Sequence, residues 1–71
     1  MKINVEKVKE LIEDKFRGNL SFFAETIGVD RSYLHQIFNK QKNENSPKTC
    51  NAIIKYCKKN NLKYEDYIFL D

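Results

Sequence analysis

Residues 20–39 constrain the fold of this chain more than any other segment. Two short runs with helical apolar spacing, at 20–27 and from 31 to about 40, are separated by only three residues, Gly28-Val29-Asp30. Helices joined by so short a turn cross steeply, so a small residue is needed where they approach and a positive-φ residue where the first one ends. Ala24 and Gly28 meet these two demands. The apolar residues predicted to close the angle are Phe23, Ile27, Val29, Leu34 and Ile37.

The rest of the chain predicts three more helices around this pair. Apolar residues at helical spacing from Val5 to Phe16 indicate a first helix, which Asn4 caps and Gly18 ends. Asn19 and Asp30 are the expected caps of the central pair, and Ser46-Pro47 is a typical start of a fourth helix. That fourth helix would bury Cys50, Ile53, Ile54 and Cys57, and a short fifth helix near 63–70 would turn Tyr64, Tyr67 and Ile68 inward. We therefore predict an all-α fold of five helices in one domain, residues 1–71.

Composition narrows the alternatives. Two glycines and one proline in 71 residues argue against a turn-rich β-sandwich or barrel. No stretch approaches 18 consecutive apolar residues and the N-terminus has no apolar signal region, so we expect a cytoplasmic protein without a membrane span. Cys50 and Cys57 are seven residues apart in one predicted helix, about 10 Å, which is too far for a disulfide. With a single histidine we expect neither a zinc site nor a cofactor.

The charged residues are unevenly distributed along the chain. Residues 1–30 carry five basic and six acidic side chains, residues 31–63 carry eight basic and one acidic, and residues 64–71 carry three acidic. A basic middle segment suits a polyanionic partner, although a solvated surface would show the same composition. Charge alone does not separate these two interpretations.

The segment Leu20-Ser-Phe-Phe-Ala-Glu-Thr-Ile-Gly-Val-Asp-Arg-Ser-Tyr-Leu-His-Gln-Ile-Phe-Asn39 resembles the helix-turn-helix of the Cro/C1-type (XRE-like) phage repressor family. The Ser46-Pro47 helix start and the Ile53-Ile54 pair resemble the fourth helix of that family, and the final aromatic segment resembles its fifth. The resemblance implies a compact lambda-repressor-like domain that binds double-stranded DNA as a transcriptional regulator, with the third helix in the major groove. It also implies a dimer on near-palindromic half-sites.

The predicted third helix offers a polar face opposite its apolar one. With Leu34, Ile37 and Phe38 inward, the outward residues are all hydrogen-bond donors and none is acidic. Those expected to read base edges are Arg31, Ser32, His35 and Gln36, with Arg suited to guanine and Gln to adenine. Those expected at phosphates are Asn19, Ser21, Asn39, Lys40, Lys42, Asn43, Ser46 and Lys48. An ordinary solvated helix face is the competing interpretation.

Two residues depart from the family pattern. Leu20 stands where many members carry a phosphate-contacting Gln, and Asp30 puts a negative charge near the expected DNA backbone. They motivate a second hypothesis, a protein-interaction adapter that keeps the fold and binds DNA weakly or not at all. An enzyme is not expected, because the chain has no Ser/His/Asp spacing, glycine-rich phosphate loop or metal cluster.

Three aromatic placements stay open at this point. Tyr33 can pack on the second helix or stack on the sugar-phosphate backbone, and Tyr56 can be surface or interface. The last helix can supply a homodimer surface through Tyr64, Ile68, Phe69 and Leu70 or form the edge of a small core.

Overall fold

Four α-helices and a short terminal β-ribbon make up the fold, in a computed structural model that describes residues 1–39 and 46–70. The helices are α1 (Val5–Phe16), α2 (Leu20–Ile27), α3 (Arg31–Phe38) and α4 (Pro47–Lys59). A 3-10 turn (Tyr64–Asp66) follows, and strands β1 (Lys2–Ile3) and β2 (Ile68–Phe69) pair antiparallel. The predicted phosphate contacts Lys40, Lys42 and Asn43 lie outside the described residues.

Each helix begins at the cap that the sequence predicts. The side-chain oxygen of Asn4 accepts from the Lys7 amide at 3.4 Å, and that of Asn19 accepts from the Phe22 amide at 3.0 Å. Asp30 and Ser46 do the same for Tyr33 and Thr49, at 3.2 and 3.5 Å. These contacts satisfy amides that a helix start leaves without a partner. The four predicted caps are therefore confirmed.

The apolar faces of the four helices meet in one core. Phe16 of α1 lies edge-on to Phe23 of α2, with ring centroids 5.1 Å apart, and Tyr56 of α4 lies 5.9 and 6.0 Å from these two rings. Tyr56 is thus half-buried in an interhelical aromatic cluster. The buried apolar residues are Ile3, Val8, Leu11, Ile12, Phe16, Phe23, Ala24, Val29, Leu34, Ile37, Cys50, Ile53, Cys57 and Ile68.

The residue at which α1 ends and the set of buried residues both differ slightly from expectation. Helix α1 ends at Phe16, and Arg17 adopts the left-handed conformation (φ 53°) one residue before Gly18, which is also left-handed (φ 74°). Ile54 and Phe38 are only half-buried, whereas Ile3, which helical spacing does not single out, is 1% exposed. Ile3 is buried because it belongs to the ribbon.

The prediction of a fifth α-helix near 63–70 is wrong. Only one 3-10 turn forms there, and Ile68 and Phe69 then pair with Ile3 and Lys2. The Asn4 amide donates to the Tyr67 carbonyl at 2.8 Å, which joins the two ends of the described chain. Ribbon pairing buries both Ile3 and Ile68 while satisfying backbone groups of both segments. If residues 63–70 formed a helix, the segment before α1 would have no strand to pair with.

Among the described residues, none of the helices combines the length and the apolar character that crossing a membrane requires.

Candidate nucleic-acid interface

The turn between α2 and α3 fixes how α3 is presented. Gly28 has φ 74°, and the Val29 amide donates to the Ala24 carbonyl at 2.9 Å, which closes the end of α2. Val29 and Ala24 are buried, so the turn is attached to the core on its inner side. A Cβ at Gly28 would meet no atom within 4 Å, so this position requires glycine for its backbone conformation and not for space.

Helix α3 is anchored along one side and exposed along the other. Leu34 and Ile37 are fully buried, and Phe38 is half-buried, with the Lys9 ammonium 6.0 Å from its ring centroid. The opposite side carries the four predicted base-reading residues. Arg31, Ser32 and His35 are exposed and Gln36 is half-buried. Since residues three and four apart on a helix are neighbours, these side chains form one continuous polar surface, named here the α3 face (Arg31, Ser32, His35 and Gln36).

Asn39 and His35 are connected at the end of α3. The Asn39 side-chain nitrogen lies 3.0 Å from His35 Nε2 and 3.1 Å from the His35 carbonyl oxygen. The Asn39 backbone amide donates to the same carbonyl at 3.0 Å. The amide that the sequence assigns to a phosphate is therefore already engaged with its neighbour on the α3 face.

The other described phosphate candidates lie at helix starts. Asn19 and Ser46 use a side-chain oxygen to cap α2 and α4, which leaves the Asn19 amide nitrogen and the Ser46 hydroxyl hydrogen as groups able to donate. Ser21 and Lys48 are exposed in the first turns of α2 and α4. A helix start concentrates backbone donors and positive dipole, so both ends suit an anion.

The residues that depart from the family pattern have structural roles. Leu20 is half-buried against the core, and Asp30 caps α3. Tyr33 is also half-buried against the core, and it lines a cavity of about 200 Å³ with Val29 and Thr49. Of the two placements left open for Tyr33, packing is the observed one. The Thr49 hydroxyl, buried there, has no hydrogen-bond partner within the described part of the chain.

Sequence patterns did not reveal one further surface. Phe22 is 54% exposed, lies edge-on to Phe16 with 5.4 Å between ring centroids, and lines a groove between α2 and α4. The groove measures about 580 Å³, and Lys55 and Lys59 lie along it with Tyr56. The signal available in the sequence was the Phe22-Phe23 pair, because adjacent residues of a helix point about 100° apart and Phe23 is the one that faces the core. None of the α3 face lines this groove.

Two buried thiols and two half-buried phenols of the core have raised pKa values. Burial raises the pKa of Cys50 and Cys57 above their ordinary value of 9.0, and it raises the pKa of Tyr56 and Tyr67 above 10.0. For Tyr67 the neighbouring Cys57 and Asp66 raise the pKa further. These groups stabilise the core as neutral side chains.

Searches of known protein families, of curated proteins and of solved structures found no match to this chain.

Proposed function

We propose that this protein is a sequence-specific DNA-binding transcriptional regulator of the Cro/C1 type, with a lambda-repressor-like arrangement in which α2 and α3 form a helix-turn-helix. The observation that carries the proposal is the α3 face, four donor side chains without an acidic residue on a helix whose other side is fully buried at Leu34 and Ile37. A helix anchored in this way can enter a major groove without exposing the core.

Each group of side chains then has a role in DNA binding. Arg31 pairs with guanine O6 and N7, and Gln36 pairs with adenine N6 and N7. Ser32 contacts a base edge or phosphate. The starts of α2 and α4, with Asn19, Ser21, Ser46 and Lys48, hold the phosphates on either side. Lys40, Lys42 and Asn43 join them from the segment between α3 and α4, and the protein acts on DNA in the cytoplasm as a repressor.

The ribbon supplies a homodimer surface in place of the expected last helix. Phe69 and Leu70 are 52% and 47% exposed, and Met1, which precedes the paired strand β1, is 39% exposed. Exposed apolar side chains on an open two-stranded edge favour pairing with a second copy. A two-fold dimer places two α3 faces on half-sites about one helical turn apart.

A random-oligonucleotide selection with the purified protein tests the proposal, followed by mobility-shift titration of the selected site at two salt concentrations. We expect an enriched near-palindromic site whose affinity falls steeply as salt rises, because phosphate contacts release counterions. A scrambled oligonucleotide of the same composition is the control. A folded protein that enriches no sequence and binds no DNA at low salt contradicts the proposal and supports the adapter hypothesis.

A further inference from the structure

The contact between Asn39 and His35 determines which nitrogen of the imidazole carries its proton. The Asn39 side-chain atom 3.1 Å from the His35 carbonyl must be the amide nitrogen, because a carbonyl oxygen only accepts hydrogen bonds. If the Asn39 amide oxygen occupied that position, it would face the His35 carbonyl oxygen, and neither atom could donate a hydrogen. The orientation of the Asn39 amide is thus set by the backbone of α3.

The same nitrogen lies 3.0 Å from His35 Nε2, and its second hydrogen is available for that contact. Nε2 must then accept, which only an unprotonated ring nitrogen can do. A neutral imidazole with a bare Nε2 carries its proton on Nδ1. Since Nδ1 lies across the ring from the direction of Asn39, the Nδ1–H group remains a donor outside this contact.

The geometry points to Asn39 as a positioning residue that holds His35 in the Nδ1–H tautomer, so that the α3 face presents a fixed hydrogen-bond donor to a base edge. The inference rests on the proposed DNA-binding function and deepens it. Guanine offers two neighbouring acceptors, N7 and O6, in the major groove, whereas cytosine offers the N4 donor. The base facing His35 therefore offers an acceptor, of which guanine has two, and cytosine is rejected there because two donors would meet.

This assignment changes the role of Asn39. Both hydrogens of its side-chain amide are used within α3, so the residue orients the reading group and does not hold a phosphate. The arrangement spans a single helical turn, from residue 35 to residue 39, and needs no contact from any other element. Loss of Asn39 should therefore change what His35 reads without moving α3.

The chain provides a matched control. Asn60 ends α4 as Asn39 ends α3, and its side-chain nitrogen donates to the Tyr56 carbonyl four residues earlier at 2.9 Å. No histidine is at the corresponding position. Asn39→Ala and Asn60→Ala each remove one helix-terminal amide contact, and only the first touches His35.

The first measurement needs no DNA. Nitrogen-15 NMR of the imidazole in the folded protein, at a pH where a titration of this single histidine shows the ring neutral, reports the tautomer directly. We expect Nδ1–H in the wild type and in Asn60→Ala, and a shift toward Nε2–H in Asn39→Ala. Nε2–H as the main form of the wild type, or no change in Asn39→Ala, overturns the inference.

The second measurement is base preference at the position that His35→Ala alters in the oligonucleotide selection. Asn39→Ala should lose about 5- to 10-fold discrimination of guanine against cytosine at that position, as expected for one hydrogen bond, while Asn60→Ala keeps it. Unchanged discrimination in Asn39→Ala overturns the assigned role. If no DNA is selected at all, the reading role fails together with the proposed function, and the NMR result still shows separately whether Asn39 sets the tautomer.

Discussion

Gly28 is the residue on which the angle between α2 and α3 depends. Its φ of 74° lies in the region that side-chain-bearing residues avoid, and the adjacent Val29 amide closes α2 onto Ala24. Local chemistry of this kind is readable from sequence, because the turn, its cap and the small residue all lie within residues 24–30. The same is true of the α3 face, whose members recur at helical spacing.

Gly28→Ala should lower the free energy of unfolding by about 1–2 kcal/mol, the cost of a left-handed alanine, since the added Cβ meets no atom. Urea denaturation followed by circular dichroism measures it. Arg17→Gly should have the opposite effect and raise the free energy of unfolding. Arg17 already has a left-handed backbone conformation, which glycine adopts without strain. A Gly28→Ala protein as stable as the wild type would contradict the conformational argument.

Arg31→Ala should relax specificity at one base pair and cost on the order of 1–3 kcal/mol of binding, since Arg31 is exposed at the first position of α3. Mobility-shift titrations on the selected site and on single-base variants measure the loss. Lys48→Ala is the comparison, because losing a phosphate contact weakens binding to all sequences alike. Unchanged base preference in Arg31→Ala means that this residue does not read the site.

At the scale of elements, the ribbon is the part of the fold that helical periodicity did not reveal. The apolar residues of 63–70 fit a helical face as well as they fit a turn followed by a strand. The choice between them is made by β1, whose Ile3 pairs with Ile68 across 65 positions of chain. Pairing between segments so far apart in sequence depends on where the packed helices place them, so no local sequence pattern predicts it.

Ile3→Ala should lower the free energy of unfolding by roughly 2–5 kcal/mol, because the side chain is buried and its removal leaves a cavity under the ribbon. Thermal or urea denaturation provides the measurement. Phe69→Ala, a change to a half-exposed residue of the same ribbon, should cost less than about 1 kcal/mol in the monomer. Similar losses in the two variants would show that Ile3 is not part of the core.

At the scale of the whole molecule, the small core contains two thiols and two phenols that stay neutral to a higher pH than they would in water. Cys50 and Cys57 of α4 are fully buried, and the raised pKa values of these thiols and of Tyr56 and Tyr67 all have burial as their largest cause. The charged side chains of the described residues, by contrast, are all exposed. In the second half of the chain most charged residues are basic.

Stability should fall as pH rises above about 9. Below that pH the buried thiols are neutral in both folded and unfolded chains, so they cause no pH dependence. Above it the unfolded chain ionises first, because the folded pKa values are raised, and the equilibrium shifts toward unfolding. Urea midpoints at pH 7 and pH 10 in reducing buffer test this, and Cys57→Ala should show a smaller drop. Equal midpoints at the two pH values would contradict it.

Phe69→Ser should convert the proposed dimer into a monomer, since Phe69 and Leu70 form its exposed apolar surface. Sedimentation equilibrium measures the mass, and we expect affinity for the palindromic site to fall at least tenfold while affinity for one half-site is unchanged. Phe22→Ser is the control, because it makes the same change at a residue of α2 that is 54% exposed. A wild-type protein that stays monomeric on the full site would contradict the dimer.

Sequence alone determined the four helices, their caps, the α2–α3 turn and the residues that α3 turns outward, because each depends on contacts within about four positions. The role proposed for Asn39 was not visible, since a sequence shows the i, i+4 spacing but not which amide atom faces His35. Only the tertiary structure decided that Ile3 and Ile68 pair as strands and that the last segment is no helix. The physical reason is that backbone pairing between distant segments is chosen after the helices have packed, when both segments lie beside the same core.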